Sequence, residues 1–292
     1  MKGEEMLNNN PSNGLSHVVG DTSELLSEQT IPELLARTAS TFPEREAVVF
    51  PTQDIRWTWT EFARQVDRLA GGLLSLNIKK GDRVGIWSPN RIEWIMTQFA
   101  TARIGAILVC INPAYRPYEL EFALNNVGCR ALVTARSFKS SDYIGMLQGL
   151  APELSSAAPG DLRAAKVPDL RAIITVGQEA PPHGMLSFKN TLDFGDEVPV
   201  ADLDAITDAL DQNDPINIQF TSGTTGSPKG ACLTHRNIVN NAHFVTARMN
   251  LTEEDRLCIP VPFYHCFGMV MGTLGCVTKG TAIIVPGEGF DP

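Results

Sequence analysis

Apolar residues recur at helical intervals in the first ordered part of this chain. From Thr60 onward they repeat with a helical period until Gly81-Asp82 stops the run. The residues on this apolar face are Phe62, Val66, Leu69, Leu73 and Leu74. An earlier helix is predicted to begin at Thr30, because Pro32 is tolerated in a first turn and Glu33 completes a capping box. Two amphipathic helices are therefore predicted first.

Beyond Asp82 the pattern changes to short apolar runs that alternate with helical segments. The runs are rich in β-branched residues and apolar on both faces, which is typical of a parallel sheet covered by helices. The predicted strands span 84–87, 106–111, 131–134, 172–176 and 281–285, and the predicted helices span 92–104, 118–126 and 142–150. Segments 151–168 and 177–204 are rich in Pro, Gly, Ala and acidic residues and are predicted to be surface connections. The sequence therefore predicts an α/β fold.

The segment Thr221–Gly230, with the letters TSGTTGSPKG, carries the chemistry that stands out most in the chain. Glycines let consecutive backbone N–H groups converge on an anion, and hydroxyl side chains add further donors. The hydroxyl residues are Thr221, Ser222, Thr224, Thr225 and Ser227. A phosphate-binding loop is predicted here, with Lys229 as a mobile point charge.

The flanking residues decide between other interpretations of this segment. It is not a Walker A loop, because Pro228 stands where a second glycine would be required. Ala231-Cys232-Leu233 predicts another strand, followed by a helix capped by Thr234, so the loop is expected to connect two strands. A Ser/Gly-rich linker is the alternative, but a linker rarely places a lone Lys directly after Pro between apolar strands.

Thr221–Gly230 resembles the phosphate-binding signature of the adenylate-forming superfamily, which includes acyl-CoA synthetases, luciferases and peptide-synthetase adenylation domains. Segments 57–62, 81–84, 112–116 and 262–269 follow in the family's order. The resemblance implies mostly parallel sheet layers with helices packed between and around them. It further implies an incomplete N-terminal AMP-binding domain over 29–292, without the C-terminal lid domain. Residues 1–28 are rich in Asn, Ser, Gly and Glu and show no sustained periodicity, which predicts a mobile tail.

The resemblance also implies roles for individual residues. ATP phosphates would be held by Thr221, Ser222, Gly223, Thr224, Thr225, Gly226, Ser227 and Lys229. Thr225 would face Mg²⁺, and Lys229 and His265 would be the catalytic residues. His265 would contact the substrate carboxylate or gate the acyl tunnel. A packed structural histidine among aromatic residues is the alternative.

Segment 262–269 is similar to the acyl pocket of acid-activating members of this family. The expected pocket residues are Phe263, Tyr264, His265, Phe267, Gly268 and Met269. Relatives that activate amino acids usually carry an Asp here to hold the ammonium group, and no Asp occurs between Pro262 and Met269. Apolar side chains favour an acid with an alkyl or aryl tail, in which each buried CH₂ contributes ~0.8 kcal/mol. Medium-chain acyl-CoA synthetases are the nearest match.

Net charge, cysteine usage and hydropathy limit the class of ligand and the cellular location that can be expected for this protein. The net charge is −9 and no long basic run occurs, so nucleic-acid binding has little support. Six cysteines form no C-x-x-C pair and no zinc spacing, and most lie in apolar runs, which predicts reduced, buried thiols. No stretch of ~18 apolar residues occurs, and the N-terminus shows no signal core or Arg-rich presequence. A cytoplasmic location is predicted.

Later motifs of the family are absent from the sequence. These are the adenine-contacting Tyr-Gly-x-Thr-Glu segment, the ribose-binding Asp and the domain that carries the catalytic Lys. The expectation is a partial chain that is inactive and aggregation-prone by itself, whereas the whole enzyme would use a carboxylic acid, ATP, Mg²⁺ and coenzyme A. A non-catalytic nucleotide-binding module and a fragment that pairs with a separate C-terminal chain are the alternatives.

Overall fold

A seven-stranded sheet forms the centre of the computed structural model, which describes residues 25–221 and 228–290. In spatial order its strands are β11 (Lys229–Thr234), β10 (Pro215–Thr221), β4 (Ile107–Cys110), β3 (Arg83–Trp87), β5 (Cys129–Thr134), β8 (Ala172–Thr175) and β9 (Leu186–Ser187). Neighbouring strands are parallel except β10 and β11, which form an antiparallel hairpin. The predicted α/β fold with a mostly parallel sheet is confirmed.

Two smaller sheets complete the strands of the described residues. One has the order β12 (Arg256–Cys258), β13 (Ala282–Ile284), β1 (Glu46–Phe50) and β2 (Ile55–Thr58). In it, β13 pairs parallel with both β12 and β1, and β1 pairs antiparallel with β2. The other is the short hairpin of β6 (Ser137–Phe138) and β7 (Ser141–Asp142).

Helices cover the sheets. They are α1 (Ile31–Thr41), α2 (Trp59–Ser75), α3 (Ile92–Arg103), α4 (Pro117–Val127), α5 (Tyr143–Leu150), α6 (Phe188–Gly195), α7 (Val200–Asp208), α8 (His235–Arg248) and α9 (Gly275–Lys279), with a π-helix over Phe267–Leu274 and 3₁₀ turns over Pro51–Gln53 and Pro152–Ser155. The capping box at Thr30 and Glu33 is present as predicted. Helix α2 begins one residue before the predicted Thr60, because Thr58 and Glu61 form its capping box.

Part of the core lies where the helices α1, α2 and α3 pack on one another and α3 packs against β3 and β4 of the large sheet. The rings of Phe62 and Phe99 meet edge to face, with their centroids 5.5 Å apart. Helices α2 and α6 approach so closely that a Cβ atom added to Gly72 would overlap Thr191 O, and one added to Gly195 would overlap Arg68 O. Glycine is therefore required at both positions of this contact.

The prediction of surface connections over 151–168 and 177–204 is wrong. These segments contain a 3₁₀ turn, β9, α6 and the start of α7, and they bury Leu162, Val167, Phe188 and Leu203. Their elements are short and interrupted by Pro and Gly, so no apolar period is long enough to detect. Their burial comes from distant partners, such as α2 against α6.

The prediction of buried cysteines holds for half of them. All six thiols are free, and Cys110, Cys129 and Cys276 are buried. The exposed thiols are Cys232 on the edge strand β11, Cys258 on the edge strand β12 and Cys266 just before the π-helix. An apolar run therefore did not guarantee burial at the edges of the two sheets. Among the described residues, no helix is both long enough and apolar enough to cross a membrane.

The predicted tail over 1–28 lies largely outside the described residues. Its final residues contact the domain, since Ser27 N donates to Asn240 Oδ1 over 2.7 Å and Asn240 Nδ2 donates to Ser27 O over 2.9 Å. The boundary between tail and domain stays a prediction.

Candidate functional site

Three parallel strands deliver sequence motifs to one edge of the large sheet. Strand β3 is followed by Ser88–Asn90, β4 by the segment 112–116, and β10 ends at Thr221. The carboxyl ends of parallel strands meet at one edge, and ligands of open α/β sheets bind in the crevice outside that edge. This topology brings the predicted phosphate segment beside the motif at 112–116.

The hairpin of β10 and β11 fixes the two ends of the glycine-rich loop. Thr221 and Lys229 are directly opposite in the ladder, both are exposed, and Thr221 Oγ1 donates to Lys229 O over 3.4 Å. Opposite residues of an antiparallel pair project to the same face. Lys229 was predicted to be a mobile loop residue, but it opens β11 because its backbone completes the ladder. The Lys229 side chain therefore extends from a backbone position that the ladder holds in place.

The centre of the predicted phosphate loop lies outside the described residues. This applies to Ser222, Gly223, Thr224, Thr225, Gly226 and Ser227. Within 25–221 and 228–290, no group of three or more His, Cys, Asp or Glu residues could hold a metal ion. The magnesium role of Thr225 and the phosphate roles of its neighbours stay predictions.

Met269 joins the predicted acid segment to the strand that enters the loop. It is fully buried, and its sulfur lies 3.6 Å from Gln219 Nε2 on β10 and 3.7 Å from Cys110 Sγ on β4. Gln219 is two residues before Thr221, so the two side chains project to the same face of β10. The acid segment therefore lies over the sheet face that carries Thr221 and Lys229.

Asn90 ties the start of the acid segment to the core. Its Oδ1 accepts from Phe263 N over 2.9 Å, and its Nδ2 donates to Val261 O over 2.9 Å. The ring of Phe263 is buried against Trp94, with 5.5 Å between the centroids. Phe263 thus belongs to the core beneath the site, and Asn90 fixes the backbone that leads to His265.

His265 is exposed and its ring is oriented by its own turn. Its Nδ1 accepts from Phe267 N over 3.2 Å, and its carbonyl accepts from Gly268 N and Met269 N over 3.0 and 3.1 Å. An accepting Nδ1 assigns the proton of a neutral ring to Nε2. The ring therefore offers an N–H donor outward, and the alternative of a packed histidine does not describe this position.

The remaining pocket residues divide between surface and interior. Phe267 is half-exposed and Tyr264 half-buried, whereas Gly268 is buried and a Cβ there would lie 2.5 Å from Pro262 O. Burial raises the pKa of Tyr115, and the nearby Glu119 and Tyr264 add to this rise. Tyr115, from the motif that follows β4, therefore lies near Tyr264 of the acid segment.

The π-helix and its partner Gln98 were not predicted from the sequence. Gln98 on α3 donates from Nε2 to Met269 O over 3.3 Å. The Thr273 hydroxyl lies 2.6 Å from Met269 O and 2.8 Å from Gln98 Oε1, and it donates its proton to one of these acceptors. Asn90 could have been found, since it follows a buried strand at the carboxyl edge. For Gln98, the one available signal in the sequence was its position as a polar residue among the apolar residues of a predicted helix.

Comparison with known proteins gives one family and consistent relatives. The family model "AMP-binding enzyme" matches residues 35–292. The chain is 44% identical over 283 residues to medium-chain acyl-CoA ligase ACSF2, mitochondrial, of Danio rerio, and the match covers 96% of this chain and 46% of that protein. It is 43% identical to putative acyl-CoA synthetase YngI of Bacillus subtilis, covering 91% of this chain and 48% of that one.

Solved structures show the same fold. The long-chain-fatty-acid-CoA ligase FadD1 of Archaeoglobus fulgidus aligns with a TM-score of 0.72 at 26% identity, covering 95% of this chain and 50% of that one. The chain spans about half the length of the curated relatives that it matches. The zebrafish relative is named as mitochondrial, so the cytoplasmic location stays a prediction.

Proposed function

Because this chain belongs to the AMP-binding enzyme family, we propose that it supplies the phosphate-binding and acid-binding parts of an ATP-dependent acid:thiol ligase. The enzyme would convert a carboxylic acid, of medium-chain fatty type, into an acyl-adenylate and pass the acyl group to coenzyme A. The observation that carries the proposal is the contact of Met269 with Gln219. It joins the acid segment to the strand that ends at the phosphate loop.

The two reacting groups would be positioned from opposite ends of this contact. The acid carboxylate would accept a hydrogen bond from His265 Nε2–H, and the ATP phosphates would lie at the loop between Thr221 and Lys229. A carboxylate oxygen attacks the α-phosphorus, the bond to the bridging oxygen breaks, and pyrophosphate leaves. Catalysis of this step comes mainly from positioning and from charge placed where the phosphates separate.

The second step would consume the mixed anhydride. The thiolate of coenzyme A attacks the acyl carbon, a thioester forms, and AMP leaves with the electron pair of the broken bond. When bound, Mg²⁺ supplies charge neutralisation on the phosphates, and Thr225 would be the residue that faces it. Lys229, the first residue of β11, would direct a positive charge toward the phosphates.

Apolar surface around His265 supports an alkyl or aryl acid. Phe267 is 49% exposed, so its ring can receive a tail without a prior rearrangement. The segment from Pro262 to Met269 offers no carboxylate for an ammonium group. The Danio rerio relative is named a medium-chain ligase and the Archaeoglobus fulgidus structure a long-chain ligase. Proteins of this fold are therefore named for acids of different length.

The activity of the chain alone is a separate proposal. The match covers 46% of the zebrafish relative, and we propose that acyl-CoA formation requires residues that correspond to the rest of that length. This chain would then act as one half of the enzyme, supplied with the other half in the same polypeptide or as a second chain.

Acid-dependent exchange of pyrophosphate into ATP tests the proposal. The protein from its full reading frame is expected to exchange pyrophosphate with octanoate, to form octanoyl-CoA when coenzyme A is added, and to respond weakly to amino acids. The chain over residues 1–292 is expected to form no acyl-CoA. Exchange without any acid, or with amino acids only, would refute the assignment of a fatty-type acid.

A further inference from the structure

Three neighbouring parallel strands of the large sheet are each followed by an arginine at the carboxyl edge. These are Arg91 after β3, Arg116 after β4 and Arg136 after β5. Arg91 Nη1 lies 2.7 Å from Glu288 Oε1. Arg136 Nε lies 2.6 Å from Glu179 Oε2. Within 25–221 and 228–290, the guanidinium of Arg116 has no carboxylate partner, so its charge is the one of the three that is left without a counterion.

Two buried aromatic side chains hold the backbone that leads to Arg116. Trp87 Nε1 donates to Asn112 O over 3.1 Å, and the Tyr143 hydroxyl donates to Pro113 O over 2.6 Å. The two rings are stacked, with 3.7 Å between their centroids. Arg116 is itself exposed, but its loop is fixed from the core. A binding residue on a fixed loop loses less conformational freedom when its ligand arrives.

Arg116 also lies beside the predicted phosphate loop. Strands β4 and β10 are neighbours, and their register, continued by two residues from its last pair, places Thr221 beside Asn112. On the other side of β10, Lys229 begins β11, and it too has no carboxylate partner among the described residues. Neighbouring strands are about 4.8 Å apart, so β4 and β11 are about 10 Å apart. Two cations without counterions therefore stand on either side of the strand that enters the loop.

The charge of the whole chain makes this pair stand out. The net charge is −9, so a polyanionic ligand is repelled unless positive charge is concentrated where it binds. The charges of Arg91 and Arg136 are already neutralised by their carboxylate partners. The positive charge available to a ligand at this edge therefore comes from Arg116 and Lys229.

Building on the proposed function, we propose that Arg116 binds a phosphate group of a nucleotide cosubstrate, together with Lys229. A guanidinium donates two parallel N–H bonds to phosphate oxygens, whereas a lysine acts as a point charge. ATP is the expected source of the phosphate, because the predicted phosphate loop adjoins Arg116. Coenzyme A carries phosphate groups of the same chemistry and is the second source.

Three variants test this binding role in the protein from its full reading frame. Arg116→Gln removes the charge and keeps an amide donor, and Arg116→Lys keeps the charge without the planar fork. In acid-dependent pyrophosphate exchange, Arg116→Gln is expected to raise the KM for ATP by about tenfold, with the KM for octanoate and the melting temperature unchanged. Arg116→Lys should recover part of this loss. Arg136→Gln is the matched control, since it removes the same charge from the same edge at a guanidinium that Glu179 neutralises.

The two nucleotides are separated by measuring the two steps apart. Exchange is measured without coenzyme A, and thioester formation is measured at saturating ATP with coenzyme A or with dephospho-coenzyme A, which lacks the 3′-phosphate. A higher KM for ATP in Arg116→Gln supports the inference and assigns the contact to ATP. A higher KM for coenzyme A alone supports it and assigns the contact to coenzyme A, at the 3′-phosphate if the KM for dephospho-coenzyme A is unchanged.

Other results contradict the inference. Unchanged KM values for both nucleotides in Arg116→Gln, or an equal rise in Arg136→Gln, overturn it and leave the proposed function standing. A rise in the KM for octanoate as large as that for the nucleotide also overturns it, since this would show a general disturbance of the site. Failure of the native protein to exchange pyrophosphate with any fatty acid overturns the proposed function itself.

Discussion

The hairpin that carries Thr221 and Lys229 meets the acid segment 262–269 at Met269, yet the two are held in different ways. The acid segment is tied into the core by the buried side chains of Asn90 and Gln98. The outer strand of the hairpin is exposed from Lys229 to Cys232, and its backbone ladder with β10 holds it. The acid site is thus built as part of the core, whereas the phosphate side projects from the sheet edge. Changes at the hairpin should affect chemistry, and changes at the acid segment should affect stability and selectivity together.

The largest effect is expected at the exposed hairpin. Lys229→Ala should lower acid-dependent pyrophosphate exchange by about a hundredfold to a thousandfold, the range for loss of one charge or donor aimed at a transition state. The melting temperature should stay within error, because the side chain is exposed. Lys189→Ala, another exposed lysine, is the control. Unchanged exchange in a folded Lys229→Ala protein would remove this lysine from the mechanism.

A loss of stability is expected where Asn90 holds the acid segment to the core. Asn90→Ala leaves Phe263 N and Val261 O without their partner and should lower the free energy of unfolding by about 3 kcal/mol. Urea denaturation measures the change. Asn125→Ala also removes an amide that donates to a backbone carbonyl, but at an exposed site, and should change stability by less than about 0.5 kcal/mol. Equal effects of the two substitutions would contradict the contrast drawn here.

At the base of the hairpin, His235 makes a buried hydrogen bond with Ile31 N, and low pH should weaken it. His235 follows β11 directly, is fully buried, and accepts from Ile31 N through Nδ1 over 3.1 Å. Burial lowers the pKa of His235 to about 4, against the opposing effects of Asp214, Glu33 and Asp211, while Lys80 lowers it further. Since the unfolded chain binds this proton near its ordinary pKa, stability is present above about pH 6.5 and falls as the pH drops toward 4.

The corresponding measurement is the free energy of unfolding across this interval. It should fall by about 2 kcal/mol between about pH 7 and about pH 5 through His235 alone. His235→Asn keeps an acceptor near the Nδ1 position and removes the titration, so the slope that belongs to this residue should vanish. His265→Ala should retain the slope. A slope that is identical in His235→Asn and the native protein would show that other groups cause it.

The smallest effect is expected at the exposed histidine of the acid segment. His265→Ala should raise the KM for the acid by about tenfold with little change in the KM for ATP, because one hydrogen bond to the carboxylate is lost. His265→Gln, which can offer a side-chain N–H, should recover part of this loss. His183→Ala is the control, since His183 Nδ1 contacts Leu154 O in another part of the chain. Equal losses for the acid and ATP would favour a structural role for His265.

Local chemistry allowed much of the fold to be predicted. Thr30 and Glu33 form a capping box within four residues, and Thr234 caps α8 in the same local way, so both helix starts are confirmed. Short buried runs such as 84–87 and 131–134 became neighbouring strands of the large sheet. These signals depend only on residues close in sequence.

Tertiary contacts explain what the sequence did not reveal. Within the π-helix over 267–274, Met269 O accepts from Gln98 Nε2, and Gln98 lies more than 170 residues earlier in the chain. Phe263 was expected in the acid pocket, but Trp94 and Asn90 place it in the core beneath. Lys229 was expected in a loop, but the ladder with Thr221 includes it in a strand. The periodicity of apolar residues depends on neighbours in the sequence, so it cannot indicate contacts with such distant residues.

The glycine contact between α2 and α6 has a consequence for how this chain opens. At Gly72 and Gly195 the two helix backbones touch without intervening side chains, so no rotamer change can admit water between them. Hydrogen exchange there requires the helices to separate as units. The amide protons of α2 near Gly72 should consequently be among the last to exchange with deuterium. A Gly72→Ala protein should lose that protection first, even where its ligand site is unchanged.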